Sequence, residues 1–248
     1  MIIENETVAL PPIVSRDEWL VARKTLLAQE KAATRQRDAL SAQRRRLPMV
    51  KIDRDYVFEG PSGKIRFLEL FAGRRQLYVH HFMWNDETAT HCPGCTAAAD
   101  LTFNAKVFAY LHRKDISFAA ISRAPFGQIT PYKAAHGWDF PWYSSHGNSF
   151  NYDFHITLDE TVAPVEYNYR SKAELKAAGE TDESLHGDRT GASVFIHRGD
   201  EIFHTYSAYA RGLDLLFPPV NFLDLTPYGR QEEWEDSPAG WPQQPTYG

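Results

Sequence analysis

The chain of 248 residues is acidic and has a large hydrophobic fraction. It holds 27 Lys and Arg against 32 Asp and Glu, a formal net charge of −5, and 43% of its residues are hydrophobic. This charge argues against a general nucleic-acid-binding surface. No apolar run reaches the length of a membrane span, and the first residues lack the basic and apolar parts of a signal peptide. The sequence predicts a cytoplasmic protein that binds neither nucleic acid nor membrane.

The N-terminal segment, residues 1–48, predicts a long helix. Ser15 and Glu18 form the capping-box pattern that begins a helix, and Pro48 ends it. Apolar side chains recur every seven residues along it, at Trp19, Leu26, Ala33, Leu40 and Leu47. Glutamines occupy positions between them, so the pattern is too weak for a free-standing coiled coil. We expect this basic helix to pack across the body of the protein or against a second subunit of a homodimer.

Residues 49–225 alternate strand patterns with helix patterns, which is typical of an α/β domain. A strand pair comes first, and the later predicted elements are a buried strand at 77–84, a helix at 96–111, a parallel strand at 116–122, a helix at 125–136 and a hairpin at 192–207. This order predicts a central mixed β-sheet flanked by helices. The tail, residues 226–248, is too rich in proline for regular structure.

The two cysteines of the chain, Cys92 and Cys95, are separated by Pro93 and Gly94. They lie between the predicted central strand and the helix that follows it. Free N–H groups and the helix dipole stabilise negative charge at such a helix N-terminus, which lowers the pKa of a thiol there. The thiolate is the nucleophile in disulfide exchange, and a second thiol can resolve the mixed disulfide. We predict that Cys92 attacks and Cys95 resolves.

Three interpretations of this cysteine pair stay open. A CxxC motif in a reducing cytosol is typical of redox chemistry. Alternatively, Cys92 and Cys95 bind a zinc or copper ion together with His91. In the third interpretation both thiols are inert packing groups of a non-catalytic interaction protein. No bound organic cofactor is predicted, because no phosphate-binding glycine loop accompanies a strand–helix unit.

Histidines surround the pair in sequence. His91 adjoins Cys92 and could favour its thiolate when protonated, or act as a base. His80 and His81 lie on the predicted central strand, where neighbouring side chains point to opposite faces. At most one of these two therefore faces the cysteine helix.

Aromatic side chains are dense around the pair and again between residues 138 and 155. Trp84 and Trp142 are candidate walls of a substrate pocket, together with Pro93 and Gly94 between the cysteines. The alternative is that the rings of residues 138–155 fill a second packed layer of the core.

Seven segments of the chain carry a resemblance to a known family: Val14–Trp19, Leu47–Val50, Tyr56–Pro61, Cys92–Cys95, Ser122–Pro125, Phe150–Phe154 and Phe203–Gly212. They resemble a bacterial family of thioredoxin-like proteins of unknown function, predicted to be dithiol–disulfide oxidoreductases. The order of elements is similar to the peroxiredoxin-like form of the thioredoxin fold. The resemblance implies a disulfide-containing protein or a small thiol as substrate, and an external reductant.

The chain departs from thioredoxins at two places. Thioredoxins hold Gly-Pro between their cysteines, where this chain has Pro93-Gly94. They also place a cis-proline before the strand that faces the active site. Thr190 matches that position here, and the resemblance implies that it lines the substrate pocket.

The chain also departs from peroxiredoxins. They keep a threonine three residues before the attacking cysteine, where this chain has Ala89, flanked by Thr88 and Thr90. This departure weakens a peroxidase assignment, and a thiol peroxidase that uses Cys92 stays as the alternative enzyme.

Overall fold

We obtained a computed structural model that describes residues 9–85 and 90–245, except for the side chains of Asn85 and Thr90. The chain divides into two compact units. The body is Pro48–Phe217, and the terminal unit combines Met1–Leu47 with Pro218–Gly248. The predicted division into residues 1–48, 49–225 and 226–248 stays a prediction.

The helices and strands occupy the following ranges in chain order. The α-helices are α1 Arg16–Arg44, α2 Pro93–Thr102, α3 Ala105–His112, α4 Phe126–Ala135, α5 Phe150–Asp153, α6 Lys172–Ala177 and α7 Pro218–Leu223. Short 3₁₀ helices span Phe67–Phe71 and Ala210–Leu216. The strands are β1 Val50–Lys51, β2 Val57–Gly60, β3 Gly63–Arg66, β4 Gln76–His81, β5 Trp84–Asn85, β6 Thr90–His91, β7 Ile116–Ser122, β8 Trp142–Ser144, β9 Thr157–Leu158, β10 Glu166–Tyr167, β11 Arg170–Ser171, β12 Gly187–Asp188, β13 Gly191–Arg198 and β14 Glu201–Tyr209.

The long N-terminal helix is confirmed with its predicted cap. The Glu18 N–H donates to Ser15 Oγ at 3.3 Å, and the Ser15 N–H donates to Glu18 Oε2 at 2.9 Å. This reciprocal pair satisfies two of the N–H groups that a helix start leaves open. None of the residues of α1 is buried.

The body is built on an eight-stranded mixed sheet with the order β1-β14-β13-β4-β7-β8-β2-β3. β4 and β7 are parallel, so the chain crosses over between them through α2 and α3. β13 is antiparallel to β4, and β14 is antiparallel to β13. This parallel β–α–β unit, with a hairpin on the other side of its first strand, is a thioredoxin-like fold, and the predicted fold class is confirmed.

One predicted helix is two helices in the structure. The apolar pattern across residues 96–111 predicted a single helix, but α2 ends at Thr102 and α3 begins at Ala105. Asn104 causes the break because its side chain accepts the N–H groups of Lys106 and Val107 at 3.1 and 3.2 Å, as a helix cap does.

The sheet has a hydrophobic layer on each face, because neighbouring residues of β4 and β7 point to opposite sides. We call the side covered by α2, α3 and α4 the cysteine face; its buried residues include Phe82, Phe103, Phe118, Ile129, Phe140 and Trp142. The opposite face is closed by α5 and the first 3₁₀ helix; its buried residues include Phe58, Phe67, Leu77, Val79, Phe150 and Phe195.

Rings of the aromatic region 138–155 fill these two layers. Trp142 is only 1% exposed, and its ring centroid lies 4.4 Å from that of Phe82. Its indole N–H donates to Ser122 Oγ at 3.0 Å. Phe150 and Phe154 pack on each other at 4.7 Å on the opposite face. These rings are therefore part of the hydrophobic core, in agreement with the interpretation that residues 138–155 fill a packed layer.

Across the described parts of the chain, no helix is both long enough and apolar enough to cross a membrane.

Candidate functional site

Cys92 occupies the N-cap position of α2. Its backbone is extended, with φ −66° and ψ 118°, and its Sγ accepts the Cys95 N–H at 3.4 Å. Pro93 suits the first helical position because its missing N–H would have no partner there. Cys92 is half-exposed, Cys95 is buried at 3% exposure, and both are free thiols. The pair thus combines a half-buried cysteine with a fully buried one.

The two thiols differ in acidity. Hydrogen bonding from the Cys95 thiol, and then from the backbone N–H groups of Cys95 and Gly94, lowers the pKa of Cys92 to about 6 against the opposing effect of burial. The pKa of Cys95 is raised well above its usual value by its hydrogen bond to Cys92 and by burial. At neutral pH the accessible sulfur is therefore mainly a thiolate, while the buried sulfur keeps its proton.

Two groups from outside α2 lie against the buried sulfur. The Met83 N–H and the Thr190 hydroxyl hydrogen-bond to Cys95 and favour its thiolate, although they do not outweigh burial. The Thr190 carbonyl accepts the Tyr167 hydroxyl at 2.9 Å, and that hydroxyl accepts the Ala210 N–H at 3.1 Å. The Thr190 carbonyl is thus held by Tyr167, while the Thr190 hydroxyl bonds to Cys95.

His91 is held by rings beside the pair. It stacks on Tyr132 with ring centroids 3.5 Å apart and planes 4° from parallel, and it meets Trp84 edge-on at 4.5 Å. Burial, and then the charge of His136, lower its pKa. The groups that lower the pKa of Cys92 do not include His91. Its predicted role in tuning the thiolate stays a prediction.

Tyr132 connects this stack to the cysteine helix. Its hydroxyl forms a 2.7 Å hydrogen bond with Thr96 Oγ1, whose own hydroxyl donates to the Cys92 carbonyl at 3.0 Å. Sequence reasoning missed Tyr132 and Met83 because nothing in their local patterns distinguishes them from other helix and strand residues. Only the packing of α4 against α2 brings Tyr132 to the site.

The predicted pocket residues fall into two groups. Pro93, Gly94 and Thr190 lie at the cysteines, and Trp84 borders His91, its indole N–H donating to Gln128 Oε1 at 3.0 Å. Trp142 instead lies inside the core of the cysteine face. The peroxiredoxin-like position, Ala89 with its neighbour Thr88, lies outside the described residues, as does the side chain of Thr90.

The two histidines of β4 separate as the strand geometry predicted. His80 lies on the cysteine face, edge-on to Phe103 at 4.8 Å, and His81 lies on the opposite face, 5.7 Å from the ring of Phe150. Burial lowers the pKa of His80 to about 4 and that of His81 to about 3. Both rings are therefore neutral at physiological pH, and neither supplies a charge to the thiols.

Among the residues that the structure describes, no three His, Cys, Asp or Glu side chains come together in a group that could hold a metal ion. The alternative site of Cys92, Cys95 and His91 would therefore need His91 to leave its stack on Tyr132.

Comparison with known proteins identifies the family. A family model described as bacterial protein of unknown function, DUF899, matches residues 8–247. The chain belongs to this family. No curated protein matches the sequence of this DUF899 member.

Some solved structures resemble this DUF899 protein at low similarity. The peroxidoxin BcpB from Mycobacterium tuberculosis has 12% identity and a TM-score of 0.44, covering 71% of this chain and 97% of that chain. A putative protein disulfide isomerase from Bacteroides thetaiotaomicron has 11% identity and a TM-score of 0.39, with coverage of 71% and 91%. The reduced 2-Cys peroxiredoxin of Plasmodium vivax has 10% identity and a TM-score of 0.40, with coverage of 72% and 93%. Similarity at this level carries no argument about activity.

Proposed function

We propose that this DUF899 protein is a thiol–disulfide oxidoreductase that uses Cys92 and Cys95. The observation that carries the proposal is the asymmetry of the pair. A half-exposed sulfur with a lowered pKa stands at a helix N-terminus, next to a buried sulfur with a raised pKa. Disulfide exchange needs this combination, because the attacking thiol must be ionised and reachable while the resolving thiol waits.

The first step is attack by the Cys92 thiolate on a substrate disulfide. A bond forms between Cys92 Sγ and one substrate sulfur, the substrate S–S bond breaks, and the other substrate sulfur leaves as a thiolate. The substrate in this proposal is a disulfide of a protein or of a small thiol. The product of this step is a mixed disulfide.

The second step is resolution by Cys95. Its thiol gives its proton to water or to the substrate thiolate released in the first step. The Cys95 thiolate then attacks Cys92 Sγ, so that the Cys92–Cys95 disulfide forms and the second substrate sulfur leaves as a thiolate. Two electrons pass from the pair to the substrate. The Met83 N–H and the Thr190 hydroxyl hydrogen-bond to the Cys95 sulfur and stabilise its thiolate when it forms. An external dithiol then reduces the pair again.

The reduction potential of the pair is the first test. The protein is equilibrated in a glutathione or dithiothreitol redox series, its free thiols are tagged, and the tags are counted by mass. We expect a transition of two thiols together between about −120 and −270 mV, the range of known oxidoreductases. Thiols that stay reduced throughout the series would overturn the proposal.

Single-cysteine variants separate the two roles. With glutathione disulfide, Cys95→Ser should accumulate one glutathione adduct at Cys92, since the resolving thiol is missing. Cys92→Ser should accumulate none, because the remaining sulfur belongs to Cys95, which is buried at 3% exposure. Equal labelling of both variants would contradict the assigned roles.

Two further measurements on the same sample distinguish the alternatives. If hydrogen peroxide oxidises the pair much faster than disulfides do, the protein is a thiol peroxidase instead. If stoichiometric zinc or copper is present and is lost in both cysteine variants, the pair is a metal site.

A further inference from the structure

The terminal unit carries an unpartnered apolar surface. Among its described residues, Val220 alone is a buried apolar side chain. Large apolar side chains of α1 are instead exposed, including Leu26 at 51% and Leu40 at 52%. A helix in a globular protein draws most of its stability from packing an apolar face. A surface that covers the exposed apolar side chains of α1 would therefore stabilise the helix.

Some of these side chains form a stripe along the helix, which we call the α1 stripe: Trp19, Leu26, Ala33 and Leu40. Leu20, Val21 and Leu27 are exposed on other sides of the helix. Seven residues are close to two helical turns, so these side chains lie on the same side of α1. Over 29 residues the helix is about 43 Å long, and the stripe covers most of that length.

The α1 stripe complements itself when the helix is reversed. A two-fold axis between Gln29 and Glu30 sets Trp19 opposite Leu40 of a second copy, and Leu26 opposite Ala33 of that copy. A large side chain then meets a smaller one in each layer, which favours interdigitated packing. An interface between identical copies must be self-complementary about such an axis.

The charges at the ends of α1 select the antiparallel orientation. Asp17 and Glu18 lie in the first turn, and Arg44 lies in the last turn, followed by Arg45 and Arg46. Reversal brings the acidic end of one helix to the basic end of the other. A parallel pair would join like charges at both ends.

We propose that α1 pairs with α1 of a second copy, antiparallel and through the α1 stripe, so that the protein is a homodimer. The pairing involves neither cysteine and is independent of the proposed function. The arrangement is isologous, and it buries the apolar side chains of the α1 stripe.

The mass of the protein in solution is the first test, measured by light scattering at micromolar concentration. The wild type should have twice the chain mass of 28.3 kDa. Leu26→Glu, within the stripe, should shift it to the single-chain mass. Val21→Glu is the matched control, because Val21 is 70% exposed and lies on the other side of the helix; it should leave the dimer intact. A monomeric wild type, or equal effects of both variants, would overturn the proposal.

Cross-linking tests the orientation in a Cys92→Ser, Cys95→Ser background. Gln29→Cys lies beside the two-fold axis, so a short bismaleimide should join two copies through it. Trp19→Cys should not join to itself, because antiparallel pairing separates the two Trp19 positions by about 30 Å. Cross-linking at both positions would indicate a parallel pair and contradict the inference.

Charge reversal gives an independent test of the helix ends. Reversing Asp17 to arginine, or Arg44 and Arg45 to glutamate, should each raise the dissociation constant of the dimer about fivefold. Combining the two reversals should restore the dimer, because complementary charges meet again. A combined variant weaker than either parent would contradict the antiparallel arrangement. Circular dichroism checks that α1 stays helical in all these variants.

Discussion

The two faces of the central sheet share the same strands but provide different environments. On the cysteine face, α2 presents its N-terminus and a half-exposed sulfur at the edge of an aromatic layer. On the opposite face, aromatic rings pack edge to face around Phe150, which is fully buried. Ionisation of a thiol needs donors and access to a substrate, and only the cysteine face combines them. We therefore expect substitutions at the cysteines to change activity, and substitutions in the aromatic layer of the opposite face to change stability.

Polar groups on the opposite face are bonded to one another. His81 Nε2 lies 2.8 Å from Ser193 Oγ, Ser193 Oγ lies 2.8 Å from Ser207 Oγ, and Ser207 Oγ lies 2.8 Å from His204 Nε2. This chain links β4, β13 and β14 across the interior of the body. Buried polar groups need such partners, and we interpret the chain as structural.

The largest expected effect is the loss of disulfide reduction when the attacking cysteine on the cysteine face is replaced. Cys92→Ser should reduce the single-turnover rate of disulfide reduction by at least about a thousandfold, because no other accessible thiol can attack. Its free energy of unfolding should change little, since serine is of similar size and is itself a favoured N-cap residue at the start of α2. Activity that survives in this variant would remove the chemical distinction between the faces.

On the opposite face the largest effect should be on stability. Phe150→Ala removes a ring that lies 5.0 Å from both Tyr56 and Phe58, and it should lower the free energy of unfolding by about 3–5 kcal/mol in urea titrations. The control Tyr110→Ala, at a ring that is 66% exposed, should change it by less than about 0.5 kcal/mol. Equal losses in both variants would mean that Phe150 is not part of a packed core.

Acid should destabilise the body through the two histidines of β4. Their pKa values are lowered from 6.5 to about 4 for His80 and about 3 for His81. Below pH 6.5 the unfolded chain takes up protons that the folded chain excludes. The free energy of unfolding therefore decreases as the pH is lowered, by about 1.4 kcal/mol per pH unit for each ring.

Urea titrations between pH 5.5 and 4.5 measure this slope. His80→Phe removes one of the two titrating rings of β4. It should therefore reduce by about half the part of the pH slope that His80 and His81 produce. A slope that is the same in wild type and variant would show that His80 is not neutral and buried.

The smallest expected effect comes from removing the Thr190 hydroxyl, which donates a hydrogen bond to the buried sulfur of Cys95. Thr190→Val removes one hydroxyl beside Cys95 and should slow resolution of the mixed disulfide about tenfold, while attack by Cys92 keeps its rate. Rapid quenching of the glutathione adduct separates the two steps. Thr205→Val is the matched control, because its hydroxyl donates to the Val194 carbonyl at 3.0 Å, on the hairpin rather than at a cysteine. Slowing of both steps in Thr190→Val would indicate general distortion of the site.

Local sequence patterns predicted most of the elements. The capping box at Ser15, the parallel strands β4 and β7 and the hairpin of β13 and β14 all depend on neighbours in sequence or on strand periodicity. The break between α2 and α3 was missed because an apolar repeat continues across Asn104, although the cap residue itself is a readable signal.

Contacts across the chain could not be predicted in the same way. Tyr132 reaches His91 and Thr96 only through the packing of α4, and Thr190 reaches Cys95 only because it precedes β13, which pairs with β4. These pairings depend on strand order and register, which a single sequence does not specify.

The sequence by itself determined the cysteine pair, its place at a helix N-terminus and the family to which the chain belongs. The tertiary structure alone decided which sulfur is accessible and which is buried, and which face each histidine of β4 occupies. The physical reason is that spacing along the chain sets local geometry, whereas burial and distant hydrogen-bond donors set the pKa of each thiol.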